Sequence, residues 1–175
     1  MSTGDLVLAQ FRTEALESRP SFEALMEAHQ QRVLRTAYRL LGKIEDAQDA
    51  TQEVFLKLLR NLDKVDGDPK AWLYRVTVNV CNDYYRRGTL VLEAVERADS
   101  APGPLQALEM EDRKQLLLKG LATLPERERA AVILRDIEGL PTREVAGILG
   151  VEEVTVRTHI SKARMRLAEY VRVRK

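Results

Sequence analysis

The sequence predicts an all-α protein made of two small helical domains. Apolar residues recur at spacings of three and four along most of its 175 residues, which is the period of a helix with one buried face. Glycine and proline stand at most ends of these periodic segments. From about residue 89 to 107 the periodicity fades, and Ser100, Pro102, Gly103 and Pro104 cannot continue a regular element. We therefore expect an N-terminal extension 1–19, a domain 20–88, a flexible linker 89–107 and a domain 108–175.

Three helices are expected in the first domain, each bounded by residues that cap or stop a helix. Serine and aspartate side chains accept hydrogen bonds from free N–H groups at a helix start, and glycine readily adopts the left-handed conformation that ends one. Proline fits the first helical position. The expected segments are Phe22–Leu41 between Ser21 and Gly42, about Ile44 to Leu62, and a third helix that follows Asp68 and Pro69 and ends at Gly88.

Four helices are expected in the second domain. The first runs from about Leu108 to Leu121 and is followed by a stop at Leu124 and Pro125. The remaining three are ERERAAVILRDIEG, closed by Gly139, then REVAGIL, capped by Thr142 and ended by Gly150, and a last helix from about Glu152 to beyond Tyr170.

The composition excludes several classes of protein. No stretch approaches the roughly 20 apolar residues that span a bilayer, and no basic segment precedes an apolar run near the start, so neither a membrane span nor a secretion signal is expected. One cysteine cannot form an internal disulfide, and two histidines make a zinc site improbable. Cys81, on a helix with core residues, is more readily explained as a small buried apolar side chain than as a redox sensor.

Charge is distributed unevenly along the chain. Residues 142–175 carry 8 Lys/Arg against 4 Asp/Glu, and the rest carries 20 against 23. A basic C-terminal end with a mildly acidic remainder fits a protein that has both a DNA partner and a protein partner. A solvated basic helix with no partner is the alternative.

The segment LPTREVAGILGVEEVTVRTHISKARMRL has the pattern of a helix-turn-helix. A short helix, a tight turn at Gly150-Val151 and a longer helix carry a shared apolar stripe, and Ala146 is small where two helices would cross. In this motif the second helix enters the DNA major groove. Its polar side should offer side chains that donate to bases and phosphates: Thr155, Arg157, Thr158, His159, Ser161, Lys162, Arg164 and Arg166. The alternative is a helical hairpin that only packs.

Two faces in the first domain allow two interpretations each. The third helix mixes Tyr84 and Tyr85 with asparagine and arginine, which suits single-stranded nucleic acid, but half-buried tyrosines and arginines placed for the helix dipole explain the same pattern. The second helix is acidic over its first two turns, which favours either docking to a partner or the dipole alone.

The order of three segments resembles the extracytoplasmic-function (ECF) class of bacterial sigma factors. These segments are EDAQDATQEVFLKLLRNL, AWLYRVTVNVCNDYYRR and LPERERAAVILRDIEGLPTREVAGILGVEEVTVRTHISKARMRL. The resemblance covers about residues 22–167 and implies sigma domains 2 and 4 with no domain between them. It implies a factor that binds core RNA polymerase, directs it to promoters and promotes melting. We expect no catalysis, cofactor or metal, because the sequence contains no nucleotide-binding loop, no metal cluster and no nucleophile–base pair.

The resemblance also implies a role for each candidate residue. It implies −35 recognition by Thr155, Arg157, Thr158, His159, Ser161, Lys162 and Arg164, and −10 recognition by Arg75, Asn79, Asn82, Asp83, Arg86 and Arg87 with the loop from Asp66 to Lys70. For docking on the β′ clamp helices, the resemblance implies Asp46, Asp49, Gln52, Glu53 and Phe55. The loop VDGDPK is shorter than in members with a Gly-Asp-Ser-type loop, and His159 stands where arginine is frequent.

The partners implied are core polymerase (β′ clamp helices and β flap), promoter DNA and an anti-sigma factor, in the cytoplasm or held by that factor at the inner membrane. Two alternatives remain at this stage. One is a stand-alone helix-turn-helix transcriptional regulator, which leaves the first domain without a role. The other is a helical adaptor that binds only protein.

Overall fold

The computed structural model describes residues 20–65, 68–91 and 105–174, and within these ranges it is all-α, as expected. The helices described are α1 (Phe22–Leu41), α2 (Ile44–Arg60), α3 (Lys70–Val91), α4 (Leu105–Ala122), α5 (Glu126–Val132), α6 (Thr142–Leu149) and α7 (Glu153–Arg172). A π-helical turn, Ile133–Ile137, continues α5.

Several helix ends lie where the sequence predicts them. The Ser21 hydroxyl accepts a hydrogen bond from the Ala24 N–H at 3.2 Å and caps α1. The Asp68 carboxylate accepts one from the Lys70 N–H at 2.9 Å at the start of α3. The glycines that follow α1, the π turn and α6 have φ values of 76°, 73° and 65°, a conformation that side chains with a Cβ rarely adopt: Gly42, Gly139 and Gly150.

Two expected helix ends were wrong. Gly88 does not stop α3, which continues to Val91, because a glycine ends a helix only when it turns left-handed and Gly88 has no positive φ. Thr142 is not the cap of α6 but its first residue, and Pro141 holds the cap position without a side-chain hydrogen bond. The π turn was not expected either. It is marked by the Glu138 N–H, which donates to the Ile133 carbonyl five residues back at 2.9 Å.

The helices also extend beyond the expected limits of the two domains. α3 runs three residues past residue 88, and α4 begins at Leu105 rather than at Leu108. Both helices therefore enter the segment 89–107 that the sequence assigns to a linker. The part of that segment from 92 to 104, and the N-terminal extension 1–19, lie outside the described residues.

Each domain has a core of buried apolar side chains. In the first domain, alanines on α1 and α2 are fully buried and let the helices approach closely, with Val54, Leu58 and Leu73 filling the space between them. In the second domain, the apolar stripe of the predicted helix-turn-helix is confirmed: Val145, Ala146, Val156 and Ile160 are buried, and Leu149 and Val151 pack against them.

The two domains lie against each other. α1 and α3 of the first domain contact α4, the π turn and α6 of the second. Hydrogen bonds between the domains connect Tyr74 to Glu138, Arg75 to the Gly147 carbonyl and Tyr85 to the Ala122 carbonyl. In this closed arrangement α3, which carries one set of candidate binding residues, lies against α6, the first helix of the helix-turn-helix.

Candidate DNA and polymerase interfaces

The polar side of α7 forms the first candidate interface. The tight turn before it is closed by the Gly150 N–H and the Val151 N–H, both of which donate to the Ala146 carbonyl. Successive turns of α7 then present the predicted residues, of which Arg157, Thr158, Ser161, Lys162 and Arg164 are exposed and Thr155 and His159 are partly exposed. The geometry is that of a helix that can enter a groove.

Not all the basic residues of α7 point away from the domain. Arg164 donates two hydrogen bonds to the Asp136 carboxylate, at 2.8 and 2.7 Å, and so ties α7 to the π turn. Arg166 lies 3.1 Å from the Glu128 carboxylate, which is 8% exposed. Arg157 pairs with Glu153 one turn earlier at 2.9 Å, but both side chains are well exposed. Arg164 and Arg166 are therefore engaged within the domain, while Arg157 and Lys162 remain on its outer surface.

A stripe along α3 forms the second candidate interface. Arg75, Asn79, Asn82 and Arg86 follow one another at four-, three- and four-residue spacing, so they share a face, with Asp83 and Arg87 beside them. Asn82 is partly exposed and the other five are exposed. Of the loop expected to assist them, Asp66 and Gly67 lie outside the described residues, and Asp68 serves as a cap.

The second domain contacts both ends of this stripe. At one end, the Arg75 guanidinium donates to the Gly147 carbonyl at 3.1 Å. At the other, Arg86 donates to both oxygens of Glu126 at 3.2 and 2.8 Å. In the closed arrangement the guanidinium groups of Arg75 and Arg86 are thus engaged by α6 and α5.

An acidic residue of the second domain also binds between α1 and α3. The Glu138 carboxylate accepts hydrogen bonds from the Thr36 hydroxyl and the Tyr74 hydroxyl, each at 3.0 Å, and from the Arg39 guanidinium. Burial raises the pKa of Tyr74, and the charge and hydrogen bond of Glu138 raise it further. Sequence reasoning missed this cluster, because nothing in the local pattern of residue 138 indicates partners 64 to 102 positions earlier.

The outer side of α2 forms the third candidate interface. Asp49 and Gln52 are exposed, Asp46 and Glu53 partly so, and Glu53 lies 3.5 Å from Lys57. Phe55 does not belong to this surface. It is 5% exposed and packs edge-on against Phe22, with ring centroids 6.4 Å apart.

Two apolar residues of α2 extend this surface and were not predicted. Leu56 and Leu59 are 52% and 50% exposed, and they follow Gln52 at helical spacing. Their signal in the sequence was present, since both fall outside the apolar stripe that faces the core. The outer face of α2 is therefore acidic in its first half and apolar in its second.

Neither a reactive thiol nor a metal-binding cluster is present among the residues that the structure describes. The Cys81 thiol is 1% exposed, and burial raises its pKa to about 12. Among residues 20–65, 68–91 and 105–174, no group of histidine, cysteine and acidic side chains could hold a metal ion, and no helix is long and apolar enough to cross a membrane.

Both domains match known protein families. Residues 25–90 match the family Sigma-70 region 2, and residues 114–167 match Sigma-70, region 4. These ranges contain all three candidate interfaces.

Individual proteins agree with the family matches. The chain is 39% identical to the ECF RNA polymerase sigma factor SigE of Mycolicibacterium smegmatis, over 87% of this chain and 62% of that protein, so it spans less than two thirds of this relative. It is 30% identical to the ECF RNA polymerase sigma-E factor of Escherichia coli, over 82% of this chain and 83% of that protein.

Solved structures show the same fold. The sigma factor RpoE in complex with the anti-sigma factor NepR, from Bartonella quintana, matches with a TM-score of 0.68 and 27% identity, over 88% of this chain and 98% of that chain. CnrH in complex with the cytosolic domain of CnrY matches with a TM-score of 0.66 and 25% identity, over 88% and 89%.

Proposed function

Because this chain belongs to the extracytoplasmic-function sigma factors, which direct RNA polymerase to promoters, we propose that it does so by presenting α7 to the −35 element, α3 to the −10 element and α2 to the polymerase. The observation that carries the proposal is the solvent-facing polar side of α7 behind its glycine turn, within a region 4 match. Arg157 and Lys162 offer the donors that guanine edges and phosphates accept.

Docking on core polymerase is assigned to the outer face of α2. Asp46, Asp49, Gln52 and Glu53 would pair with a basic or polar helix such as those of the β′ clamp, and Leu56 and Leu59 would cover apolar groups beside it. Phe55 supports this face from the core rather than touching the partner. The β flap is the second polymerase contact we propose, through region 4.

Strand capture at the −10 element is assigned to the α3 stripe. Asparagine side chains offer both donors and acceptors to a base that has left the duplex, and arginines hold the phosphates on either side. Since Arg75 and Arg86 are engaged by the second domain in the closed arrangement, this step needs the two domains to separate.

Regulation by an anti-sigma factor is part of the proposal. Support comes from RpoE and CnrH, which share the fold of this chain and were solved with NepR and with the cytosolic domain of CnrY. We place the chain in the cytoplasm, free or held at the inner membrane by such a factor, and assign it no catalytic activity and no cofactor.

The proposal is tested by transcription in vitro with core polymerase on promoters mapped after overexpression. The double variant Arg157→Ala/Lys162→Ala should lose about thirtyfold or more of promoter-specific transcript, because two contacts of at least about 1 kcal/mol each are removed. It should also respond little to a scrambled −35 element.

Arg172→Ala is the matched control, since Arg172 is an exposed arginine of the same helix paired with Glu169. It should transcribe like the wild type. Absence of promoter-specific transcript with the wild-type chain would contradict the proposal, and a symmetric footprint on duplex DNA without polymerase would favour a stand-alone regulator instead.

A further inference from the structure

The Glu138 carboxylate occupies a polar site on the first domain that has no assigned role. Thr36 and Arg39 contribute from α1 and Tyr74 from α3, and all three donate hydrogen bonds to the carboxylate. The Glu138 side chain is 10% exposed, so the site is largely covered. We call these three donors the Thr36–Arg39–Tyr74 site.

The chemistry of this site fits an oxyanion in general. A guanidinium and two hydroxyls donate to a carboxylate or to a phosphate with the same geometry, and such charge-assisted hydrogen bonds are stronger than neutral ones. A small pocket beside Tyr74 adds two positive groups, Arg32 and Lys70, and the described carboxylate of Asp68 lies near them. His29 also lines this pocket, but burial and the charge of Arg32 lower its pKa, so it is mostly neutral near pH 7. The surroundings therefore favour an anion even when Glu138 is absent.

The site lies beside the start of the α3 stripe. Tyr74 precedes Arg75 in the chain, but its side chain is on the buried side of α3, about 100° around the helix, so the site borders the stripe rather than lying on it. At the far end of the stripe, Arg86 holds a second carboxylate of the second domain, that of Glu126. Tyr74 and Arg86 stand about 18 Å apart along the helix, at about 1.5 Å per residue, which is the reach of a few extended nucleotides.

We propose that the Thr36–Arg39–Tyr74 site binds a backbone phosphate of the non-template promoter strand, and that Glu138 occupies it in the free chain as a stand-in for that phosphate. This rests on the proposed function, because a strand must be captured along α3. In the polymerase complex the domains separate, Glu138 withdraws and the phosphate replaces it. The same three donors thus bind Glu138 in the closed free chain and the DNA phosphate in the polymerase complex.

The test compares two substitutions that break the same ion pair from opposite sides. Arg39→Gln removes the donor, and Glu138→Gln removes the charge of the occupant. Each variant is measured free and in complex with core polymerase, using a dye-labelled fork of a mapped promoter with a duplex −35 element and a single-stranded non-template −10 element. Binding is followed by fluorescence anisotropy at several potassium chloride concentrations.

The two variants should behave differently. Free Glu138→Gln should bind the fork about tenfold more tightly than the wild type, and its polymerase complex should bind like the wild-type complex. Arg39→Gln should gain nothing when free. In complex with polymerase it should bind about three- to tenfold more weakly, and the slope of log K against log salt should fall by about 0.7, the value for one contact to a single-strand phosphate.

Further variants guard against indirect effects. Arg172→Gln removes one exposed arginine far from the site and should leave the slope unchanged. Tyr74→Phe keeps the buried ring but removes one hydrogen-bond donor. In complex with polymerase, this variant should bind the fork more weakly than the wild type, by a smaller factor than Arg39→Gln, and the domain should stay folded.

Identical behaviour of Arg39→Gln and Glu138→Gln in both forms would overturn the proposal, since Arg39 would then serve only to hold Glu138. An unchanged salt slope for Arg39→Gln in the polymerase complex would do the same. Failure of the wild-type complex to bind any promoter fork is a separate result, which refutes the proposed function itself.

Discussion

The Cys81 thiol lies among core residues of the first domain, where its environment decides its chemistry. A thiol reacts as the thiolate, and burial here disfavours the charged form and raises the pKa to about 12. Arg129 opposes this shift without removing it. At neutral pH the thiol is therefore uncharged and buried, which agrees with the small apolar side chain expected from the sequence.

Alkylation of Cys81 measures this directly. In the native chain at pH 8, iodoacetamide should react at least ~100-fold more slowly than in the same chain in denaturant, because the unfolded thiol returns to a pKa of about 8.5. The reaction of the native chain should accelerate as the pH rises towards 12. Equal rates in the two states would contradict the assignment, and Cys81→Ala should transcribe like the wild type.

At the scale of helices, most helix boundaries could be predicted from the local sequence, and each exception has a physical cause. Ser21 and Gly42 acted as predicted because their effect depends only on neighbours within one turn. Gly88 was misjudged because helical and left-handed conformations are both open to glycine, and tertiary context chooses between them. The π turn escaped prediction, since its extra residue leaves the apolar pattern almost unchanged.

The candidate binding residues, too, could be predicted from the sequence only in part. The polar face of α7 could be read from spacing alone, because each residue sits on one helix. The partners of Glu138 and Glu126 could not, since either carboxylate could pair with many of the chain's 28 Lys/Arg residues, and only the three-dimensional packing of the domains selects Arg39 and Arg86. Phe55 was assigned to the polymerase-binding surface only by the family resemblance; the apolar spacing of its helix groups it with Val54 and Leu58, and all three are buried.

The crossing of α4 and α7 gives a prediction at this scale. A Cβ at Gly120 would lie 3.1 Å from Leu167 Cδ2 and 3.3 Å from Tyr170 Cδ1, so Gly120→Ala should lower the free energy of unfolding by about 1 kcal/mol, as overpacking outweighs the helix propensity of alanine. Gly147→Ala is the control: its Cβ would meet no atom within 4 Å, and it should raise the free energy of unfolding by about 0.5–1 kcal/mol.

Both values are obtained from urea unfolding followed by circular dichroism. A Gly120→Ala variant as stable as Gly147→Ala would show that α4 and α7 have room at their crossing.

At the scale of the whole molecule, the closed arrangement combines one buried apolar cluster, to which both domains contribute residues, with several polar contacts between the domains. One of them is unusual: the Arg129 guanidinium is 1% exposed and lies 3.8 Å from the centre of the Tyr85 ring, while its Nε and Nη1 have no hydrogen-bond partner in the described part of the chain. Burying N–H groups without acceptors is costly. The two unpartnered nitrogens of Arg129 therefore lower the stability of the closed arrangement.

Small-angle X-ray scattering tests closure in solution. A compact chain of this length has a radius of gyration of about 16 Å. The double variant Glu126→Gln/Glu138→Gln should give a clearly larger value than the wild type, because both carboxylate contacts between the domains are weakened. Glu169→Gln, which affects only a pair within α7, should scatter like the wild type. Indistinguishable curves for all three chains would contradict the role of the two carboxylates.

The hydrogen bonds from Arg75 to the Gly147 carbonyl and from Tyr85 to the Ala122 carbonyl end on the main chain. Any amino acid at 122 or 147 supplies the same acceptor, so mutation there leaves the acceptor in place. The bonds to Glu126 and Glu138 end on side chains and disappear with a single codon change. Substitutions at residues 122 and 147 therefore leave the contacts that orient the domains in place. Substitutions at Glu126 and Glu138, in contrast, can change the strength of closure during evolution.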